Sequence, residues 1–271
     1  MTRLSETGEL GLLAELERSG LIVGTEHDVA VVEGVVVTQD ALVDSVHFRL
    51  DWLSWRELGF RAAAVNISDL AAAGAEPVSL LVTLAVPADT LVEDVFALYE
   101  GIAEAGVPVV GGDTTASPTT VVTVTAFGRA ERVPGRAGAQ PGDLLVVTGA
   151  LGGAGAAFRS GRYLRLPNRI DEGRELARTA HAQMDLSDGL AVDAAHIARR
   201  SGVRCVVDLD RVPLADGATI DDLGFGEDYE LLAAVPDAGG FTVIGRVEKG
   251  EGVELLLGGE PYELTGWEHY R

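Results

Sequence analysis

Apolar positions in this chain come in two rhythms. Short β-branched runs alternate with longer stretches in which hydrophobic residues recur every three or four positions, the spacing that lines one face of a helix. The opening MTRLSETGELGLLAELERSG has acids inside its apolar pattern and no uninterrupted hydrophobic region, so it predicts an ordinary helix and not a signal peptide. VAVVEG and VVVTQD, joined at Glu33 and Gly34, predict a hairpin or a pair of adjacent strands. Residues 54–75, SWRELGFRAAAVNISDLAAAGA, predict a long buried helix starting at an N-cap Ser54 and stopping at Gly74. A strand VSLLVTLAVP, a helix TLVEDVFALYEGIAEAG, a short strand VPVVGG and a long strand TTVVTVTAFGRA follow. Residues 131–143, ERVPGRAGAQPGD, concentrate Pro and Gly and mark the expected domain boundary. Beyond it LLVVTGALGG predicts a strand entering a Gly-rich turn, DLSDGLAVDAAHIARRSG a helix and RCVVDLD a strand; GFGEDYELLAAVP and FTVIGRVE are more strand than helix. The order predicts an α/β (α+β) chain in two halves, each a mostly β layer covered by helices, with no short tandem repeat.

Composition narrows the function classes. With 271 residues, 47% of them hydrophobic, the chain can bury a core in each of two domains. The 42 acidic against 21 basic side chains leave a net charge of -21, which repels phosphate backbones and anionic lipid, so neither nucleic acid nor a membrane surface is an expected partner. No apolar run approaches the length of a membrane span. The single cysteine, Cys205 in RCVVDL, allows no intrachain disulfide, fits a cytoplasmic protein and reads as a small apolar strand residue.

Against this background the placement of aspartates stands out. Asp28 precedes the first strand, Thr38 and Asp40 end the second, Asp69 lies in the alanine-rich helix, Asp113 follows two glycines at a strand end, and Asp185 and Asp188 bracket Ser187 in MDLSDGL. A single such acid is commonly a cap or a turn residue. Acids at the ends of five hydrophobic segments, interleaved with Thr and Ser hydroxyls and without a Cys or His pattern, suit a hard, oxygen-seeking ion such as Mg²⁺, and Mg²⁺ held by carboxylates commonly shares itself with phosphate. There is no Walker A sequence, no kinase Gly-rich loop and no dinucleotide fingerprint; GALGGAG, residues 149–155, is a weak candidate phosphate cradle.

Taken in order, GxxxDxAVV, TxDxLVxxVHF, AVNxSDLAAxGAxP, GGDTT, RxGAxPGD, TGxLG, MDLSDGL and GEDYEL resemble the thiamine-monophosphate kinase family of the aminoimidazole-ribonucleotide-synthetase-like superfamily, from about Gly24 to the C-terminal GWEHY. The resemblance implies a two-domain fold: residues 1–137 as an ATP- and Mg²⁺-binding domain that pairs with a second copy in a dimeric β-barrel flanked by helices, and residues 138–271 as an α/β domain completing the nucleotide and substrate site. It implies transfer of the γ-phosphoryl of ATP to thiamine monophosphate, in the cytoplasm, by a homodimer. Its metal positions fall on Asp28, Thr38, Gln39, Asp40, Asp69, Asp113, Asp185 and Asp188, with Asp188, Asp113 and Asp40 expected to carry catalysis. Its ATP positions fall on Arg136, Ser187, Tyr99, Gly112 and Asp113, and its substrate positions on His47, Glu227 and Trp267. Several Mg²⁺ ions and ATP are the implied cofactors, with K⁺ as a candidate additional cation.

Three departures qualify the match. The usual Gly-Asp-Asp near the N-terminus reads Glu26, His27, Asp28; Gln39 stands where Thr or Ser is common; and Phe225, Gly226, Glu227 replace Gly-Gly-Glu. The stretch between TGALGG and MDLSDGL is compact, which predicts a reduced substrate-facing surface in the second half. Two alternatives follow: another ATP-dependent synthetase of the same superfamily, or an inactive regulator that binds nucleotide or thiamine phosphate.

Overall fold

A computed structural model describes residues 3–23 and 27–267 of the chain. The opening helix, α1 (Leu4–Arg18), is broken at Gly8, whose backbone is not helical. Strands β1 (Ala30–Val32) and β2 (Val35–Val43) form the expected antiparallel hairpin, turned by Glu33 and Gly34 in left-handed conformation. Helix α2 (Trp55–Ala72) starts from Ser54 in a reciprocal capping box with Glu57. β3 (Glu76–Val86), α3 (Val92–Ala103), β4 (Val109–Ala116) and β5 (Val121–Arg129) complete the first half. The VPVVGG strand is thus longer than expected, running on through Asp113 to Ala116 as an edge strand with almost every residue exposed.

The strands of this half form one mixed sheet in the order β1-β2-β5-β3-β4, with β3 and β4 parallel and the other neighbours antiparallel. The sheet of a single chain is open, with β1 and β4 at its edges, and is not closed into a barrel. One face is covered by α2, where Val36, Leu42, Leu80, Val82, Val122 and Val124 pack with Ala62, Ala63, Ile67 and Leu70. The apolar residues on the strands of that face alternate with exposed or half-buried ones, the period-two signature of a sheet with one buried side.

The second half contains β6 (Leu144–Val147), α4 (Gly153–Arg159), α5 (Ile170–Leu176), β7 (Ala182–Asp185), α6 (Leu190–Ser201), β8 (Arg204–Asp208), β9 (Leu231–Val235), β10 (Thr242–Glu248), β11 (Gly252–Leu257) and β12 (Glu260–Tyr262). Its mixed sheet has the order β12-β11-β8-β10-β6-β9-β7. The segment expected as one helix from Asp185 instead ends a strand at Asp185, turns through Ser187 and Gly189, and becomes helical only at Leu190. The Asp193 carboxylate accepts from the Asp188 and Gly189 N–H groups at 3.2 and 3.1 Å, satisfying the start of α6.

The two halves share α2. Its Ala71 and Ala72 belong to a cluster with Val146, Leu176, Leu231 and Ala233 of the second half. Here α5 crosses α2 so tightly that a Cβ on Gly173 would lie 2.1 Å from the Ala71 carbonyl oxygen. The buried Gln183 amide on β7 donates to the Ala71 and Gly173 carbonyls at 3.1 and 3.2 Å. Among the described residues no helix is long and apolar enough to cross a membrane.

Candidate active site

Four segments from different parts of the chain deliver acids to one point. Thr38 and Asp40 stand two apart on β2 and so project toward α2; Asp69 sits on the α2 face opposite them; Asp28 enters from just before β1; and Asp185 is the last residue of β7. One carboxylate oxygen each of Asp28, Asp69 and Asp185 lies within 4.8 Å of the others. Thr38 Oγ1 donates to Asp69 Oδ2 at 2.5 Å, and Ser68 Oγ to Asp185 Oδ2 at 2.6 Å. Asn66 Oδ1 accepts from the Asp40 backbone N–H at 3.0 Å while its own amide donates to the Ala62 carbonyl, anchoring β2 to the helix. Arg136 holds the buried Asp28 carboxylate with its Nε at 2.9 Å and with its Nη2.

Crowding and burial raise the proton affinity of Asp40, Asp69 and Asp185. Burial, then the charges of Asp40, Asp185 and Asp28, push Asp69 well above the carboxylate range. Burial and the Asp28 charge push Asp185 up to about 8. Asp40 is raised by burial and, less, by Asp28, against a hydrogen bond with Asp69 that works the other way. Such a cluster either retains protons or binds a cation, and a donor set made wholly of oxygen fits a hard divalent ion such as Mg²⁺.

Next to the acids opens a cleft of about 700 Å³ lined by Asp40, Ser187, Asp188, His47, Glu227, Tyr163 and Trp267, among others. The three residues expected to meet substrate, His47, Glu227 and Trp267, therefore share one cavity with Asp40, Ser187 and Asp188. His47 Nδ1 accepts from the Val43 N–H at 3.0 Å, which in the neutral ring puts the proton on Nε2. Glu227 N–H donates to the Ser187 carbonyl at 2.8 Å, and Trp267 N–H to the Asp188 carbonyl at 2.9 Å, so the GEDYEL and C-terminal segments are both tied to the Ser187–Asp188 turn. Gly226, at φ +79°, presses against that turn; a Cβ there would sit 2.3 Å from the Ser187 oxygen. Phe158, Tyr163 and Phe225 add aromatic surface to the cleft wall.

Other expected site residues stand apart from this centre. Across the first sheet, Ala41 pairs with Thr123, Thr123 with Thr83, and Thr83 with Asp113. Asp113 therefore lies in the row of Ala41 and on the sheet face away from α2, three strand spacings or roughly 14 Å from β2. Gly112 neighbours it on β4, and Tyr99 is half-buried on α3. The Gln39 side chain also lies on the outer face, where its Oε1 accepts from Thr125 Oγ1 at 2.8 Å. The glycine turn at 149–155 does not present a vacant cradle, because Asp228 accepts from the Gly152 and Ala154 N–H groups at 2.6 and 3.0 Å. Glu26 and the last residues of GWEHY, beyond Trp267, fall outside the described residues.

Residues 26–130 match the family described as AIR synthase related protein, N-terminal domain, and residues 140–258 match AIR synthase related protein, C-terminal domain. A curated thiamine-monophosphate kinase of Aquifex aeolicus is 33% identical over 99% of this chain and 100% of its own length. The chain belongs to the thiamine-monophosphate kinase family. A thiamine-monophosphate kinase of Mycobacterium tuberculosis is 33% identical over 98% of this chain and 93% of its own. A solved structure of AaThiL complexed with AMPPCP and TMP superposes with a TM-score of 0.91 at 34% identity, covering 99% of both chains. The hydrogenase maturation protein HypE in complex with ATP, at 18% identity and a TM-score of 0.70, shares the fold.

Several residues that build the candidate site were not singled out in the sequence. Asn66, Ser68 and Arg61 are polar positions among the buried Leu58, Ala62, Ala63, Ala64, Val65, Ile67 and Leu70 of α2, and all three are buried. That interruption of the apolar pattern was the available signal. Asp193, buried behind Asp188, lies inside the amphipathic α6 and reads in sequence as an ordinary first-turn acid.

Proposed function

We propose that this chain transfers the γ-phosphoryl of ATP to thiamine monophosphate, giving thiamine diphosphate and ADP. The observation that carries the reading is the junction of the Asp28, Asp69 and Asp185 cluster with a cleft walled by His47, Glu227 and Trp267. The acids would hold Mg²⁺ and the opposite wall would hold the organic part of the acceptor. Full-length similarity to thiamine-monophosphate kinases, one of them solved with AMPPCP and TMP, supports the same assignment.

In this reading Asp28, Asp40, Asp69, Asp185 and Asp188, with Thr38 and the backbone at Gln39, hold the metal. Bound Mg²⁺ neutralises the charge that two phosphates bring together, a repulsion of several kcal/mol at effective dielectrics near twenty. Arg136, fixed by Asp28, and Ser187 face the nucleotide phosphates. The acceptor is an ionised phosphate oxygen, so no strong general base is needed, and the residues act by positioning the reactants for in-line transfer.

Asp113, Gly112 and Tyr99 enter the reading through a second copy of the chain. They lie along the β4 edge and α3, beside Val110 and Phe96, which are 65% and 68% exposed. A homodimer that covers this surface brings one protomer's Asp113 toward its partner's acids, and pairing of the two open sheets supplies the expected barrel. The boundary between residues 1–137 and 138–271 and a cytoplasmic location belong to the same proposal, which leaves K⁺ out.

Incubating the purified protein with ATP, Mg²⁺ and thiamine monophosphate, then assaying thiamine diphosphate and ADP, tests the proposal. Equal yields of both products are expected. ADP without thiamine diphosphate would favour another synthetase of the superfamily, and binding without turnover a regulator.

A further inference from the structure

Arg61 is an unusual residue for its place. It lies in the first half of α2 among Leu58, Ala62, Ala64 and Val65, with its side chain 4% exposed. Its Nη2 is 2.8 Å from Glu227 Oε2, and its Nη1 donates to the Leu164 carbonyl at 3.3 Å. The guanidinium carbon stands 5.2 Å from the centre of the Tyr163 ring. Neither Nε nor Nη2 makes a directed hydrogen bond. A buried guanidinium with so few directed bonds contributes little to stability that an apolar side chain of similar volume would not. What an apolar side chain would not supply is a cation behind Glu227.

Glu227 needs such a tether. It sits in a left-handed backbone conformation, as does Tyr229 two residues on, in a loop with no regular secondary structure. Its carboxylate is 25% exposed and forms part of the cleft wall. Left to itself a glutamate with that exposure turns toward water, since its rotamer freedom favours many orientations. The planar fork of Arg61, wedged against Tyr163 and the Leu164 carbonyl, selects one of them.

We propose that Arg61 is a positioning residue for the acceptor substrate: it reaches from the first half of the chain to fix the Glu227 carboxylate in the cleft wall, where that carboxylate meets a cationic or N–H-bearing heteroaromatic group. The inference rests on the thiamine monophosphate reading of the site. Arg61 contacts Glu227, the Leu164 carbonyl and the Tyr163 ring and not the acid cluster's side chains, so its influence falls on the wall proposed to hold the organic part of the acceptor.

Steady-state kinetics of Arg61→Met, Arg61→Lys, Glu227→Gln and Arg61→Met/Glu227→Gln test it. For Arg61→Met the KM for thiamine monophosphate should rise at least tenfold, with kcat and the KM for ATP within about threefold, the split expected when binding common to ground and transition states is lost. Arg61→Lys, which keeps the charge but not the fork, should recover part of the loss. Adding Arg61→Met to Glu227→Gln should change the KM by less than about twofold, because the tethered group is already altered. A crystal structure of Arg61→Met should show the Glu227 carboxylate displaced from the cleft wall. An unmoved Glu227, equal rises in the KM for ATP and for thiamine monophosphate, or an undiminished effect of Arg61→Met in the Glu227→Gln background would overturn the inference. Absence of thiamine diphosphate formation by the unsubstituted protein would instead overturn the proposed function. If Arg61→Met does not fold, Arg61→Lys and its structure carry the same comparison.

Discussion

On the face of the first sheet that packs against α2, Thr38 and Asp40 stand beside Asp69, Asp28 and Asp185, in surroundings dry and crowded enough to lift the proton affinity of Asp40, Asp69 and Asp185. On the opposite face Gln39 and Asp113 are exposed, Gln39 engaged with Thr125 and Asp113 at the end of a cross-sheet row. Neighbours in sequence are thereby sent to different chemistry by the alternation of a strand. Spacing within a motif gives the residue types of a site, but the face on which each falls decides whether one chain can bring them together. The inner face gathers its acids within one chain, whereas Asp113 on the outer face stands three strand spacings from β2, and in the proposed reading it joins a centre only through a second copy.

The largest effects should come from the inner centre. Asp188→Asn should cut turnover at least about a hundredfold while leaving the circular dichroism spectrum unchanged, since the loss is of charge aimed at the transferring group. Near-normal turnover at saturating Mg²⁺ would remove Asp188 from the site. Asp113→Asn should be comparably inactive if the outer face is completed by a partner. Mixing the two inactive proteins should then restore about a quarter of normal activity, because half of the dimers are mixed and each has one intact site. No recovery on mixing would place Asp113 outside the shared site.

A smaller effect concerns pH. Asp185 is raised from the ordinary carboxylate value to about 8. Below that ordinary value the folded and unfolded chains both carry the proton. Above it the unfolded chain releases the proton while the folded one keeps it, so folded-state stability declines as pH rises toward 8. In EDTA the Tm should fall by several degrees between about pH 5 and pH 8. Added Mg²⁺ should restore it most at the alkaline end; a metal-free Tm that rises across this window would contradict the raised affinity. The smallest effect is expected at Gln39: Gln39→Ala should leave kcat/KM within about twofold, as for most exposed substitutions, and a loss approaching that of Asp188→Asn would assign its side chain a role on the inner face.

Much of this arrangement was legible in the chain itself. The hairpin at Glu33 and Gly34 and the capped helix from Ser54 follow from local rules, and each is present. The acids at segment ends were visible as a group because burying one alone is costly. What local rules did not convey was the true start of α6 at Leu190, since Asp193 caps it from within the helix, or the extension of the β4 edge through Asp113. The glycine turn at 149–155 was misleading for a related reason. Its N–H groups are indeed collected, but by Asp228, a partner 74 and 76 residues away. Such long-range pairings arise from topology and leave no mark on spacing.

The close crossing of α2 and α5 has a bearing on how the molecule comes apart. Ala71 and Ala72 contribute to a cluster built mainly by the second half, and Gly173 leaves no room for a soft joint between the helices. Neither half can melt without stripping cover from the other, so the two sheets form one cooperative unit, and calorimetry should record a single heat-absorption peak even though the chain has two cores.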